Sequence, residues 1–432
     1  MPKLKYILPM LLPLIVIFYY IYPQALDIRG SSFISLSGVV GLGIYAYHRF
    51  PFKEVVYLLC GFFVLFFTFY SSTWINGASD DYSMSYAKSQ IASLFSAYLV
   101  IFLIFKTHAR PTLNTVLLYI IAAIALQSIL AFLMYVSEPV ETFLFSLQMK
   151  VDYTEEIREE AGRQRLMGYG IGFFGAGAIS GIALVLLSYL FMRLKLKTRE
   201  FLLLAGLYVL IFYIGLFMAR TTIVGMAVGF GVIAVLYIWD NRAAKKQAKT
   251  FVLSSIFLMA AGYVFAMFYF SSFSDWAFEL FTNLFVHGRL ETKSSSGLAE
   301  MFMIPEETWV LIFGTGSSAF FGSDVGYTRI LFYVGIIGGL AFFLYPLFII
   351  KLSMTKDWGV NIVAFSIYVY SLALNVKGLI ELNLILYLIF FYFMFYKYYV
   401  YYPKQYTMAL KRKKVKELHR RKTLSEAIDL TK

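Results

Sequence analysis

The run from Phe201 to Trp239 carries a single charged residue, Arg220, at its midpoint. As one helix these thirty-nine residues would rise ~58 Å at ~1.5 Å each, about twice the ~30 Å hydrocarbon thickness of a bilayer. The run must therefore fold back as two spans with Arg220, Thr221 and Thr222 at the tip. Its flanks, RLKLKTR (193–199) and RAAKK (242–246), are basic and place the outer ends of the hairpin in the cytoplasm. The tip then faces outward, where a lone arginine in an apolar hairpin is costly unless it meets an anion.

The rest of the chain repeats this pattern. Sixty per cent of the residues are hydrophobic, the composition of a polytopic membrane protein. Twelve spans are predicted, at 6–22, 33–47, 55–70, 91–105, 113–136, 171–191, 201–219, 222–239, 251–270, 327–350, 359–376 and 384–402, giving an all-α fold. With both termini cytoplasmic, 27 of the 38 basic and 7 of the 25 acidic residues fall inside, for a net +20. The other 11 basic and 18 acidic residues fall outside, for a net −7. The overall charge of +13 thus reflects orientation, and no nucleic-acid partner is expected. Residues 1–22 lack a small-residue cleavage site and read as a retained first span. The membrane domain is expected to cover 1–402. The basic tail 403–432, with KRKKVKELHRRK at 411–422, reads as an anchor to anionic membrane lipids. The lone cysteine, Cys60, leaves no disulfide to form.

Two outward segments are large. Ser137 to Gly170 contains KVDYTEEIREEAGRQR (150–165), whose acids and bases at helical spacing read as an amphipathic helix on the membrane surface. Arg163 and Arg165 close it, just before a glycine-rich start to the sixth span. There Gly168/Gly172 and Gly177/Gly181 have the spacing that permits close helix packing. The second segment, about 271–326, supplies Trp276, His287, Arg289, Trp309 and Asp324. Tyr327 and Arg329 follow. Just before the last span, Lys377 and Glu381 stand one helical turn apart.

Ionisable groups are missing from the middle of the spans, where ion-coupled transporters carry them, and collect at the outer boundary. Arginines there (Arg163, Arg165, Arg220, Arg289, Arg329) suit a phosphate or pyrophosphate, which guanidinium forks grip through several hydrogen bonds. An outward-facing lipid pyrophosphate bearing sugars fits, and its departure needs stabilisation of negative charge. The four histidines are scattered and no DxD-like triplet occurs, so neither a metal centre nor another cofactor is expected.

MARTTIVG (218–225), GRL (288–290), FGTG (313–316) and SDVGYTRILFYVGIIGG (323–339) together resemble the O-antigen polymerase and ligase superfamily, specifically a Wzy-type polymerase. The resemblance implies a GT-C-like fold in the bacterial inner membrane, with a large periplasmic loop late in the chain. It implies a metal-independent glycosyltransferase that moves a glycan from undecaprenyl pyrophosphate onto a terminal sugar hydroxyl of a second lipid-linked repeat. A Wzz-type chain-length regulator is implied as a partner. By position, Arg220 and Arg289 resemble the arginines that hold the pyrophosphate. The related ligases have a histidine roughly where Asp324 stands, so Asp324 is the expected base and His287 the alternative.

Plainer readings stand beside these. Arg220 could serve packing at the interface, Asp324 could cap the helix starting near Gly326, and Lys377 could simply pair with Glu381. Tyr327, on the same helical face as Asp324, could contact sugar or sit in an aromatic belt. Competing functions are a ligase using the same donor and a flippase of lipid-linked sugars.

Overall fold

The computed structural model describes residues 4–28, 30–48, 53–149, 165–239, 244–269, 276–289, 292, 296–319 and 321–401. Fifteen α-helices are followed here: α1 (Leu4–Ile21), α2 (Phe33–His48), α3 (Lys53–Ile75), α4 (Tyr82–Thr107), α5 (Leu113–Val136), α6 (Glu138–Leu147), α7 (Phe173–Arg193) and α8 (Thr198–Met218). Then come α9 (Thr222–Trp239), α10 (Lys245–Tyr269), α11 (Glu279–His287), α12 (Thr308–Phe313), α13 (Gly326–Ser353), α14 (Trp358–Leu374) and α15 (Asn383–Phe395). Two short strands, Asp27–Ile28 and Ser31–Ser32, pair antiparallel after α1.

Each of the twelve expected stretches is largely helical over its described residues. Among the described residues, nine helices are long and apolar enough to cross a membrane, and α1, α2 and α14 carry shorter apolar stretches. The protein is a multi-pass, all-α membrane protein. One boundary differs notably: α4 begins at Tyr82 rather than near 91. Its first turns look polar (YSMSYAKSQ), yet Ser83, Tyr86 and Gln90 are buried on one face, so helical periodicity prevails over local polarity.

Polar contacts tie described helix connections together at two ends of the bundle. At one end Met149 donates its N–H to the Gln24 carbonyl (3.1 Å), Leu166 to that of Phe217 (3.1 Å) and Gly326 to that of Asn375 (2.9 Å). At the other, Arg193 pairs with Asp357 at 3.0 Å, and Lys397 pairs with Glu54.

Helix α7 is the hub: 83% of its apolar window is buried, against 17% for α10. The glycines explain the tight seat of α7 on α9. A Cβ at Gly225 would lie 2.2 Å from the Gly181 Cα, and one at Gly177 would lie 2.4 Å from Thr221 Oγ1. Such small-residue faces let backbones approach where lipid offers no hydrophobic drive. Gly168 and Gly172 play no such part: Gly168 bridges to Ile171, and Gly172 caps α7 with nothing within 4 Å of an added Cβ.

The FGTG stretch is also structural. Helix α13 breaks at Gly335 (φ 64°, ψ −170°), which leaves carbonyls without helical donors. Thr315 donates its N–H to the Phe332 carbonyl (2.7 Å) and Gly316 to that of Tyr333 (2.9 Å). The Ser72 hydroxyl of α3 lies 2.9 Å from the same Tyr333 oxygen. Gly314 and Gly316 adopt φ 75° and 71°, and a Cβ on either would strike Tyr333 or Ser72 backbone. A helix break at membrane depth is tolerable when protein groups satisfy the freed backbone.

Candidate functional site

The end of the bundle shared by the α8–α9 turn, residues 165–172, the start of α11 and the α14–α15 turn gathers three cations. The α8–α9 turn is tight, with Thr222 and Ile223 donating N–H groups to the Ala219 (3.1 Å) and Arg220 (3.0 Å) carbonyls. It projects Arg220 at the tip of the hairpin. The bond from Leu166 to Phe217 lays Arg165 alongside. Both guanidinium groups stand over the indole of Trp276, Arg165 at 4.4 Å and Arg220 at 4.8 Å from the ring centroid, and Arg165 also lies 5.5 Å from the Phe173 ring. Trp276 is held by its neighbours: Ala277 and Phe278 are buried, and Phe278 packs on Tyr263 of α10 and Tyr213 of α8.

Arg220 donates from Nη1 to Glu279 Oε2, both side chains being largely buried. Arg165 differs: among the described residues its guanidinium has aromatic neighbours and no carboxylate partner. Burial, and then the charge of Arg220, pull it below the ordinary arginine range.

The third cation is Lys377. Residues 375–382 form a turn and an extended stretch, not a helix, so Lys377 and Glu381 are not one helical turn apart. Asn375, fully buried, builds this turn. Its amide donates to the Ser371 and Ile380 carbonyls (both 2.8 Å), and its own carbonyl accepts from Gly326. Lys377 is thereby turned towards the arginines. Burial, then Arg220 and Arg165, hold its ammonium below the usual lysine range, while Asp324 acts in the opposite sense.

Asp324 is exposed, in electrostatic reach of Lys377. It does not cap α13, whose N-cap is Val325 with no side-chain cap bond. Ser323 fills the local role instead, accepting from the Val325 N–H at 3.2 Å and donating to the Met301 carbonyl at 2.7 Å. Since α13 starts at Gly326, Tyr327 shares no helical face with Asp324. Its hydroxyl donates to the Leu372 carbonyl at 2.8 Å and its ring packs on Phe343, which makes it a strut between α13 and α14.

Other expected residues lie elsewhere. Arg289 is exposed, directly after Gly288, which caps α11 in the left-handed conformation. No contact of its side chain with the cation cluster occurs among the described residues. Arg329 is in electrostatic reach of Tyr82 on α4. The carboxyl of Glu381 turns away from Lys377 and accepts from Tyr86 and Gln90 of α4 and from Asn383. Trp309 donates from Nε1 to Asn76 Oδ1 at 3.2 Å. Residues 150–164 with Arg163, the ring of His287, and the tail 403–432 lie outside the described residues.

Two partners were not anticipated. Glu279 and Asn375 carry no motif. The one signal for each was a polar residue in an apolar setting, on the loop facing the Arg220 tip and at the end of α14. No protein-family model matches the chain, and neither a curated protein nor a solved structure shows significant similarity to it.

Proposed function

We propose that this protein is a Wzy-type polymerase that extends lipid-linked oligosaccharides at the outer face of the bacterial cytoplasmic membrane. In this reading the chain crosses twelve times in a GT-C-like arrangement with both termini cytoplasmic. The observation that supports it is the convergence of Arg165, Arg220 and Lys377 at one end of the bundle, where burial and the neighbouring arginine charges depress Arg165 and Lys377. Cations held together against their repulsion at a membrane boundary are best relieved by a polyvalent anion, and a diphosphate supplies one.

The three cations would grip the pyrophosphate of the undecaprenyl-linked donor. The acceptor's sugar hydroxyl attacks the anomeric carbon, the bond from that carbon to the phosphate oxygen breaks, and lipid pyrophosphate departs with its charge stabilised. Asp324, beside Lys377, would accept the hydroxyl proton. Arg165, Arg220 and Lys377 make this grip, and a Wzz-type regulator would act on chain length from outside it.

Deleting the gene and profiling surface glycan tests the reading. Material capped at a single repeat unit is the expected result. Naked core would instead indicate loss of a ligase or flippase, and normal long chains would remove the proposal.

A further inference from the structure

The cation cluster leaves a half-buried carboxylate unused. Glu381 lies in the α14–α15 turn, four residues beyond Lys377. Its carboxyl is enclosed by neutral groups: Tyr86 (2.5 Å) and Gln90 from α4, and Asn383 (2.8 Å) at the start of α15. Behind them the network continues, with Tyr387 donating to Gln90 Oε1 at 2.9 Å and Tyr345 of α13 lying 3.0 Å from the Tyr387 hydroxyl. Tyr82 of α4 is in electrostatic reach of both the Glu381 carboxyl and Arg329. Among the described residues, no cation pairs with it.

A partly desolvated carboxylate answered only by neutral dipoles is costly, and such groups can neutralise instead. Asn383 gives an independent sign. It is 1% exposed, and its Oδ1 has no hydrogen-bond donor although its amide touches the carboxyl. With the amide turned over, a protonated Glu381 donates its hydrogen to Asn383 while Tyr86 and Gln90 still donate to the carboxyl.

We propose that Glu381 holds a proton in the folded protein and in that neutral form locks α4, α13 and α15 around the turn that presents Lys377. It is a positioning residue for the cation site, acting through the eight residues Asn375 to Leu382. The proton-holding half stands on the network alone, whereas the positioning half rests on the proposed reading of the cations. In support, burial lifts the Glu381 carboxyl to about 7 against the opposing pull of Tyr86, Gln90 and Asn383.

The test uses the full-length protein in nanodiscs between pH 6 and pH 8.5. A carboxylic-acid carbonyl infrared band is expected at the lower pH, fading at the higher one and missing from Glu381→Gln. Because the folded-state value is raised, this stabilisation is complete below the ordinary carboxyl range and is lost as pH rises through about 7. The wild-type melting temperature should therefore fall over this window more than that of Glu381→Gln. Tyr86→Phe, which removes one donor to the carboxylate, should shift the wild-type fall to higher pH. Inorganic pyrophosphate is the probe for positioning: wild-type affinity should drop several-fold relative to Glu381→Gln across the same step. The ratio cancels the changes in pyrophosphate charge and in Lys377 that both proteins share. No band and no excess fall in stability would overturn the proton. Both present with an unchanged affinity ratio would overturn the positioning role. Pyrophosphate binding to neither protein at either pH would sink the cation-site reading, leaving the infrared result to judge the proton.

Discussion

Arg165 and Arg220 share the indole of Trp276, at 4.4 and 4.8 Å, and repel each other across it. The aromatic ring helps both cations to stay charged while partly desolvated. Glu279 neutralises one of them. Among the described residues the pair thus keeps an excess of positive charge at the rim of the bundle, positioned by the α8–α9 turn on one side and residues 165–166 on the other.

Removing Arg165 or Arg220 should separate the two roles. Each charge-assisted hydrogen bond to the diphosphate contributes about 1.5–3 kcal/mol. Arg165→Ala is therefore expected to weaken pyrophosphate binding by about ten- to a hundred-fold, with little change in melting temperature. Arg220→Ala should lose both binding and stability, since it breaks the ion pair with Glu279. Calorimetric titration with inorganic pyrophosphate, paired with thermal melts, reads both. Equal affinity of Arg165→Ala and wild type would remove Arg165 from the site.

Glu279→Gln probes the same pair from the other side. Breaking a buried ion pair costs about 3–5 kcal/mol when one charge is left behind. Arg220 is 9% exposed, so a large drop in melting temperature is expected. An anion that binds there should restore part of it. The measured quantity is the rise in melting temperature on adding pyrophosphate, expected to be larger in Glu279→Gln than in wild type.

The helices were legible because apolar runs bounded by charge leave few alternatives in a membrane. Arg220 was legible for the same reason, as the lone charge in a long apolar run. Tertiary pairing was not. Nothing in the local sequence says that Glu279 reaches Arg220 across 59 residues, or that Asn375 closes the turn which sends Lys377 one way and Glu381 the other. Spacing suggested a helix through 377–381, but the amide of Asn375 ties the end of α14 at Ser371 to the Ile380 carbonyl across a tight turn. FGTG reads as a family-like motif; its glycines are required by the close passage of two backbones at the α13 break.

That passage is testable. Gly335 holds φ 64°, and a Cβ there would lie 2.3 Å from the Ile312 carbonyl oxygen. Gly335→Ala is expected to cost about 1–3 kcal/mol from backbone strain, and more from the clash. Lower yield and a reduced melting temperature should follow, with pyrophosphate affinity per folded molecule unchanged. Wild-type stability would show that α13 can rejoin as one continuous helix.

Lys377 sets the alkaline side of the site's behaviour. Burial, Arg220 and Arg165 all lower its ammonium from the usual lysine range. A lysine whose folded value is depressed binds fewer protons folded than unfolded in the interval between the two values, so its penalty on stability lessens as pH rises through that interval. Anion binding moves oppositely, because the site loses a positive charge over the same interval. Pyrophosphate affinity should therefore begin to decline at a lower pH than an ordinary lysine would give. Arg165→Ala removes one source of repulsion and should move that decline to higher pH, even though it weakens binding overall. Lys377→Met should abolish the decline. Affinity measured across the alkaline range for the three proteins decides the matter, and a decline that persists unchanged in Lys377→Met would assign it to another group.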